Sequence, residues 1–195
     1  MIGNARLESG DTPNRLKGTP PMRQNNTGLA FAAAPATIAG RVILRLPREI
    51  SDQLPARSMA LADAAVAGHT FLAQLEPDGK GGHWMTLPSC VNAKPGRPLS
   101  VSLSPPEPWP EPDMPPAFTN RVTAAGLADF WATITPKAKW EWFRWLRDTK
   151  SEATREKRFG VAIDKLRKGQ RRPCCFNTAA CTVPEVSKGG VLMDG

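Results

Sequence analysis

Residues 131–177 read WATITPKAKWEWFRWLRDTKSEATREKRFGVAIDKLRKGQRRPCCFN, and they hold four of the six tryptophans of this 195-residue chain. Thirteen Lys and Arg stand against five Asp and Glu there, so this stretch alone carries the formal net charge of +8. Its apolar residues recur at spacings of three and four, which is the pattern of amphipathic helices.

The first predicted helix starts after Thr135, which can cap it, and has Pro136 at its first position, where the missing N–H costs nothing. It is expected to run to about Asp148. We expect its apolar face to hold Trp140, Phe143, Trp145 and Leu146. At the rim of the helix or in solvent we expect Lys137, Lys139, Arg144 and Arg147. Trp142 would be the most exposed of its tryptophans.

A second helix is predicted from a Ser151 cap to Gly169, which suits the residue after a helix end. Its buried stripe would consist of Phe159, Ala162, Ile163 and Leu166. Because only a few residues around Lys150 separate the two helices, they are expected to form an antiparallel hairpin. A shorter helix is predicted over 121–132, capped by Thr119 or Asn120.

The upstream part has the alternation and turn residues of short strands. Strands are predicted over 31–39, 41–46, 69–76, 83–88 and 99–104, with a short helix over 47–54 between them. Residues 59–68 are Ala-rich, but we interpret them as a strand because the hairpin turn at Gly68 follows directly. Seven prolines in residues 105–116 indicate an extended linker.

Composition excludes several classes of protein. No Ser-His-Asp set, paired-carboxylate site, P-loop or dinucleotide motif is present, so neither an enzyme nor a cofactor is predicted. Four cysteines and two histidines offer no second ligand pair for zinc, and no metal is expected. The longest apolar run, over 29–39, is too short for a membrane helix, and the protein is expected to be cytoplasmic.

Several separated motifs together resemble one family. They are REISDQLPARSM (48–59), GHTFLAQLEPDGKGGHWMTL (68–87), EPWPEPDMP (107–115), FWATITP (130–136), WFRWLRDTKSEATREKR (142–158) and LRKGQRRPCCFN (166–177). In this order they resemble the YdeI/OmpD-associated family, also described as bacteriocin-protection proteins. The chain departs from the family's usual hairpin at 64–68 and from its usual loop at 96–98.

The resemblance implies an α+β protein with a small N-terminal β-barrel and a C-terminal helical unit that contains the helical hairpin. The predicted boundaries are a disordered tail at 1–30, the barrel at 35–104, the Pro-rich linker at 105–118, the helical domain at 119–177 and a flexible tail at 178–195. The family also implies a role in tolerance of antimicrobial peptides, without a reaction attached to particular residues.

The family's lysine and TR..R signature falls on Lys150, Thr154, Arg155 and Arg158, and its tail motif on Arg171, Arg172, Cys174, Cys175 and Phe176. Helical spacing puts Lys150, Thr154 and Arg158 on one face, which is able to bind a phosphate or carboxylate. With Arg155, Arg171 and Arg172 they are the candidate anion- or partner-binding residues. The alternative is an ion-pair network with Asp148, Glu152 and Glu156. Cys174 and Cys175 follow two arginines and are either redox-active or a buried pair.

Two functions follow from these observations. The first is a non-enzymatic stress or bacteriocin-protection protein that acts by binding an unknown acidic ligand or protein. The second is a basic nucleic-acid-binding module, in which Trp140, Trp142 and Trp145 would stack on bases. Core packing is the favoured interpretation of those tryptophans, since their spacing places most of them on the apolar face.

Overall fold

The computed structural model describes residues 28–174 and 176–194. The disordered tail predicted at 1–30 lies outside this range except for its last three residues. An α+β fold is present, with a curled antiparallel sheet in the first part of the chain and helices after it. The predicted fold class is therefore confirmed.

Seven strands form the curled sheet, in the order β1-β7-β4-β5-β6-β3-β2. They are β1 (Leu29–Ala33), β2 (Pro35–Ile38), β3 (Arg41–Arg45), β4 (Ala60–Val66), β5 (His69–Pro77), β6 (His83–Thr86) and β7 (Leu99–Ser104). A short helix α1 (Arg48–Ser51) and a 3₁₀ turn (Ser89–Val91) lie in the connections. Because only Ala34 separates β1 from β2, the two edge strands are consecutive in the chain, and the sheet curls into a half-barrel.

Strand β4 is Ala-rich yet extended, as the sequence predicted. Ala60, Ala62 and Ala64 face the core of the half-barrel, whereas Asp63 between them is exposed. The strand pairs with both β5 and β7, so tertiary pairing overrides the helical propensity of alanine. Gly68 closes the β4–β5 hairpin with a positive φ of 83°.

Within the described residues four helices follow the sheet: α2 (Pro116–Ala124), α3 (Ala128–Ala132), α4 (Pro136–Arg147) and α5 (Glu152–Arg167). The single helix predicted over 121–132 is wrong, since α2 begins earlier, at Pro116, and ends before Gly126. That glycine has a φ of 68°, which interrupts the helix before α3 starts. The predicted caps Thr119 and Asn120 lie inside α2.

The caps of the two longer helices are confirmed. The Thr135 hydroxyl accepts a hydrogen bond from the Ala138 N–H at 3.4 Å, and the Ser151 hydroxyl accepts one from the Thr154 N–H at 3.1 Å. The predicted buried stripe of α5 is also confirmed. These residues share a core with α2 and α4, whose buried members are Met114, Phe118, Val122, Ile134, Ala138, Trp142, Leu146, Phe159, Ala162, Ile163 and Leu166.

Helix α4 is buried on two sides, which the sequence did not predict. Trp142 was expected to be exposed, but it is 0% exposed in the helical core. Trp140 packs on the other side, against Met59 and Leu61 next to and on strand β4. Arg144, expected at the rim, is only 1% exposed, and Lys139 is buried as well. The cause is that α4 lies between the sheet and the other helices, so it has no fully solvated face.

The Pro-rich segment before α2 packs against α4. The Trp140 indole N–H donates to the Pro110 carbonyl oxygen at 2.9 Å, and the Lys139 ammonium pairs with Glu111 at 3.0 Å. Met114 is buried in the helical core. These contacts hold the segment on the surface of the helix.

The segment 178–194, predicted to belong to a flexible tail, is packed on the half-barrel. It contains a small hairpin of β8 (Ser187–Lys188) and β9 (Val191–Leu192). Its buried residues share a core with the outer face of the sheet, formed by Ile38, Ile43, Trp84, Cys181, Val183, Val186 and Leu192. The apolar residues of this segment are the short runs AAC (179–181) and VLM (191–193) and two single valines, so they show neither helical nor strand periodicity.

Candidate functional site

A cluster of charged side chains lies where the sheet, helix α4 and the C-terminal segment meet. Glu76 on β5 is 3% exposed. One of its carboxylate oxygens accepts a hydrogen bond from Arg144 Nε at 3.2 Å, and the other accepts from Arg147 Nη2. Gln74 also donates its amide to the latter oxygen. A buried carboxylate of this kind requires such partners, because burial of an isolated charge is costly.

Arg144 also holds the C-terminal segment. Its Nη1 donates to the carbonyl oxygen of Thr178 at 3.0 Å, and its Nη2 donates to that of Ala180 at 2.9 Å. Burial lowers the pKa of Arg144 from its ordinary value, and the Glu76 carboxylate opposes that shift. Through these hydrogen bonds Arg144 links helix α4 to strand β5 and to the C-terminal segment. Sequence reasoning missed it because Glu76 is 68 positions from Arg144.

The residues of the TR..R signature are engaged in local contacts. Arg155 pairs with Glu152 at 2.6 Å. Arg158 donates to the Trp145 carbonyl oxygen and lies 3.7 Å from Asp148. These pairs match the alternative of an ion-pair network, except that the described partner of Glu156 is Arg121.

The other two predicted residues of this group lie near the start of α5. The Thr154 hydroxyl lies 2.8 Å from the Ser151 hydroxyl, within the cap of the helix. Lys150 is exposed on the connection between α4 and α5. Neither position, by itself, forms a pocket for an anion.

The tail motif lies away from the TR..R signature and contacts other helices. Arg171 donates to the Thr133 carbonyl oxygen at 2.8 Å, and its guanidinium stacks over Phe130. Arg172 pairs with Glu141 at 2.9 Å. Phe176 lies under the Arg144 guanidinium. The structure therefore distributes the predicted anion-binding residues over several contacts and does not gather them into one site.

The cysteines have different environments. Cys174 is exposed and contacts the Lys165 ammonium, whereas Cys175 lies outside the described residues. Cys181 is buried against the sheet, and burial raises the pKa of its thiol. A raised pKa keeps Cys181 in the less nucleophilic thiol form at neutral pH.

An apolar pocket of about 280 Å³, which we name the barrel pocket, opens at the end of the sheet where β1, β4 and β7 lie side by side. Leu54, Leu61 and Leu103 contribute aliphatic walls, and Trp109 from the Pro-rich segment covers one side. The polar groups in its wall are Gln53 and Ser104. Its full lining is Leu29, Gln53, Leu54, Pro55, Ala60, Leu61, Ala62, Leu103, Ser104, Pro105 and Trp109.

Comparison with known proteins identifies part of the chain. Residues 111–169 match the model of the family described as bacteriocin-protection, YdeI or OmpD-associated. The match spans α2 to α5, including the TR..R signature, and it confirms the resemblance over this range. No curated protein and no solved structure matches the chain. None of the helices in the described part of the chain is both long and apolar enough to cross a bilayer.

Proposed function

With a bacteriocin-protection domain at 111–169 as the premise, we propose that the protein protects by binding the apolar residues of an antimicrobial peptide in the barrel pocket. The proposal is that protection comes from capture and involves no reaction. The observation that supports it most directly is the apolar pocket, whose walls come from both the sheet and the segment leading into the family domain.

The pocket suits one or two large apolar side chains. Burying a leucine or phenylalanine side chain contributes about 1.5–3 kcal/mol, and a peptide inserting two of them gains binding energy without a charged partner. Trp109 lies half-buried at the pocket and is flanked by Lys137, whose ammonium is 5.7 Å from the ring centroid. This edge combines an aromatic surface with a polar rim, as is common in binding sites.

Charge sets the sign of the salt dependence. The chain carries +8, so its long-range field repels a cationic peptide. Added salt screens that repulsion and strengthens apolar binding, or leaves it unchanged. Nucleic-acid binding behaves in the opposite way, since it weakens steeply as salt rises.

The binding test uses a fluorescently labelled, cationic amphipathic peptide and measures its anisotropy as the protein is titrated. Leu54→Asn places a polar amide in the pocket wall and is expected to weaken binding by about tenfold, which corresponds to the loss of one apolar side-chain contact. Leu72→Asn is the matched control, because Leu72 is an exposed leucine outside the barrel pocket. Equal effects of the two variants would contradict the proposal.

A cell-based arm checks protection itself. Bacteria that produce the protein are challenged with the peptide, and survival is compared with that of cells that produce Leu54→Asn. We propose a cytoplasmic site of action, which fractionation of the same cells tests. If cells that produce Leu54→Asn survive as well as cells that produce the wild type, the barrel pocket is not the site of protection.

The runner-up is the nucleic-acid-binding module, which the concentration of positive charge over 131–177 favours. The structure removes much of the predicted stacking surface, since Trp140 and Trp142 are buried. Retention of the protein on immobilised single-stranded DNA at low salt, lost at moderate salt, would support the module over the peptide-binding proposal.

A further inference from the structure

Two neighbouring pockets of about 310 and 260 Å³ share two residues, Arg147 and Glu185, in their walls. We name them together the junction groove. The first pocket is lined mainly by the sheet, together with Arg147 and the C-terminal segment, and the second by α4, α5 and the C-terminal segment. The groove thus lies next to the charged cluster, since Glu76 and Arg147 are in its wall. None of the residues that line the groove also lines the barrel pocket.

The charged lining has an excess of positive charge. Arg41, Arg147 and Arg155 stand against Glu76 and Glu185, and Arg41 pairs with Glu185 at 3.7 Å, so Arg147 and Arg155 are the arginines that face a ligand. The Glu76 carboxylate is already shared between Arg147 and the buried Arg144. Asp148 and Arg158 lie nearby as a pair 3.7 Å apart, and together they add no net charge to the groove.

The arginines at the groove remain accessible to a ligand. The side chain of Arg147 is 23% exposed and that of Arg155 is 38% exposed. Glu152, the partner of Arg155, is an exposed acid one turn away on the same helix. Such an exposed pair contributes at most about 1 kcal/mol, so a ligand carboxylate can exchange with it at little cost.

The second pocket adds an apolar surface beside these cations. Its walls include Phe143, Leu146 and Phe159, together with the prolines Pro115 and Pro184. Leu146 and Phe159 are each 1% exposed and form the floor of the pocket, so the accessible apolar surface comes from Phe143, Pro115 and Pro184. A ligand in this pocket meets aromatic and aliphatic side chains on one side and guanidinium groups on the other.

From this arrangement we infer that the junction groove binds an amphipathic carboxylate, meaning a carboxylate attached to an apolar chain. The carboxylate is held by Arg155 and Arg147, since guanidinium groups match carboxylates in geometry and charge. The apolar chain lies on Phe143, Pro115 and Pro184, the half-buried apolar residues of this wall. This site is separate from the barrel pocket and adds a ligand class to the protein.

The test is calorimetric titration of the full chain with octanoate and with octanamide, its neutral counterpart. Octanoate is expected to bind saturably and octanamide at least about tenfold more weakly, because the amide lacks the charge-assisted hydrogen bonds. Equal affinities, or no octanoate binding at millimolar concentration, would overturn the inference.

A matched pair of variants locates the site. Arg155→Gln removes a groove arginine and is expected to weaken octanoate binding by about tenfold. Arg167→Gln is the control, because Arg167 lies on the same helix, forms an exposed pair with Asp164 at the same spacing and is outside the groove. Circular dichroism verifies that both variants are folded. An unchanged affinity in Arg155→Gln would remove the groove as the site.

Two sources of the ligand are distinguished by a short apolar peptide with a free carboxyl end and the same peptide with an amidated end. Tighter binding of octanoate than of the free-carboxyl peptide supports a lipid-like acid, and the reverse order supports a chain terminus. Leu54→Asn is expected to leave octanoate affinity unchanged, so failure here is distinguishable from failure of the barrel pocket.

Discussion

At Glu76 a carboxylate that is 3% exposed receives hydrogen bonds from two arginines that lie 68 and 71 positions away in the chain. The local sequence gives no sign of this role, because a glutamate at the end of a predicted strand is usually solvated. The burial of the two partner arginines is equally unpredictable, because helical periodicity assigns Arg144 and Arg147 to the rim of the helix.

The Glu76 cluster predicts a large loss of stability on removal of its charge. Glu76→Gln leaves Arg144 and Arg147 buried or half-buried without their carboxylate, and we expect the free energy of unfolding to fall by about 3 kcal/mol or more. Denaturant titration measures this change. Glu152→Gln is the control, because its pair with Arg155 is exposed and its removal costs at most about 1 kcal/mol. Similar losses in both variants would refute the special role of Glu76.

His83 predicts a pH dependence of stability. Burial lowers its pKa from the ordinary 6.5, and its Nδ1 is buried without a hydrogen-bond partner among the described residues. Between this lowered value and 6.5 the unfolded chain binds the proton more readily than the folded one. The free energy of unfolding is therefore expected to fall as pH is lowered through 6.5, until the folded-state pKa is passed.

The test is a series of melting temperatures between neutral pH and mildly acidic pH. His83→Gln keeps a side chain able to donate toward the Ser58 carbonyl oxygen, which His83 Nε2 contacts at 3.2 Å. The variant is expected to show a flatter pH profile across this window. His69→Gln, at an exposed histidine, serves as the control and should retain the wild-type slope. An identical slope in His83→Gln would assign the dependence to other groups.

At the scale of elements, the sequence predicted helices and strands well where one face is buried. Helix α5 is the clearest case, with its cap at Ser151 and its stripe of Phe159, Ala162, Ile163 and Leu166. Helix α4 was predicted in extent but not in orientation, since it contacts a core on each side. Periodicity identifies a helix with one apolar face. A helix buried between two layers has apolar residues on two sides, so its sequence shows no single apolar stripe.

The C-terminal hairpin lacked a sequence signal for the same kind of reason. Two-residue strands are too short for alternation, and part of the anchoring comes from backbone hydrogen bonds, such as that from the Leu192 N–H to the Asp78 carbonyl oxygen at 2.9 Å. The same limit applies to the predicted site residues. Their types indicated anion binding, but only the fold shows which of them line a cavity.

This hairpin predicts an asymmetric response to charge. Val186 is 0% exposed against the sheet, so Val186→Asp is expected to lower the melting temperature strongly, because it buries a carboxylate among apolar residues. Lys188→Asp on the exposed side of the same hairpin is expected to have little effect. Thermal unfolding followed by circular dichroism compares the two. A small effect of Val186→Asp would mean that the segment is not required by the fold.

For the whole molecule, the net charge of +8 pointed to an acidic partner, and the fold shows that several of the basic side chains behind that expectation already have partners within the chain. Arg144, Arg155, Arg158 and Arg172 each pair with a carboxylate of the chain. A basic composition is therefore a weaker guide to function here than the position of the two cavities, one apolar and one with an excess of guanidinium groups.

The burial of α4 on two sides also bears on how such a sequence drifts over evolutionary time. A substitution at Trp140 alters the contact with Met59 and Leu61, and one at Trp142 alters the contact with the other helices. Accepted changes on α4 should therefore be rare or occur together with changes in strand β4 or helix α5. The exposed positions of α5 outside the junction groove, by contrast, are free to vary one residue at a time.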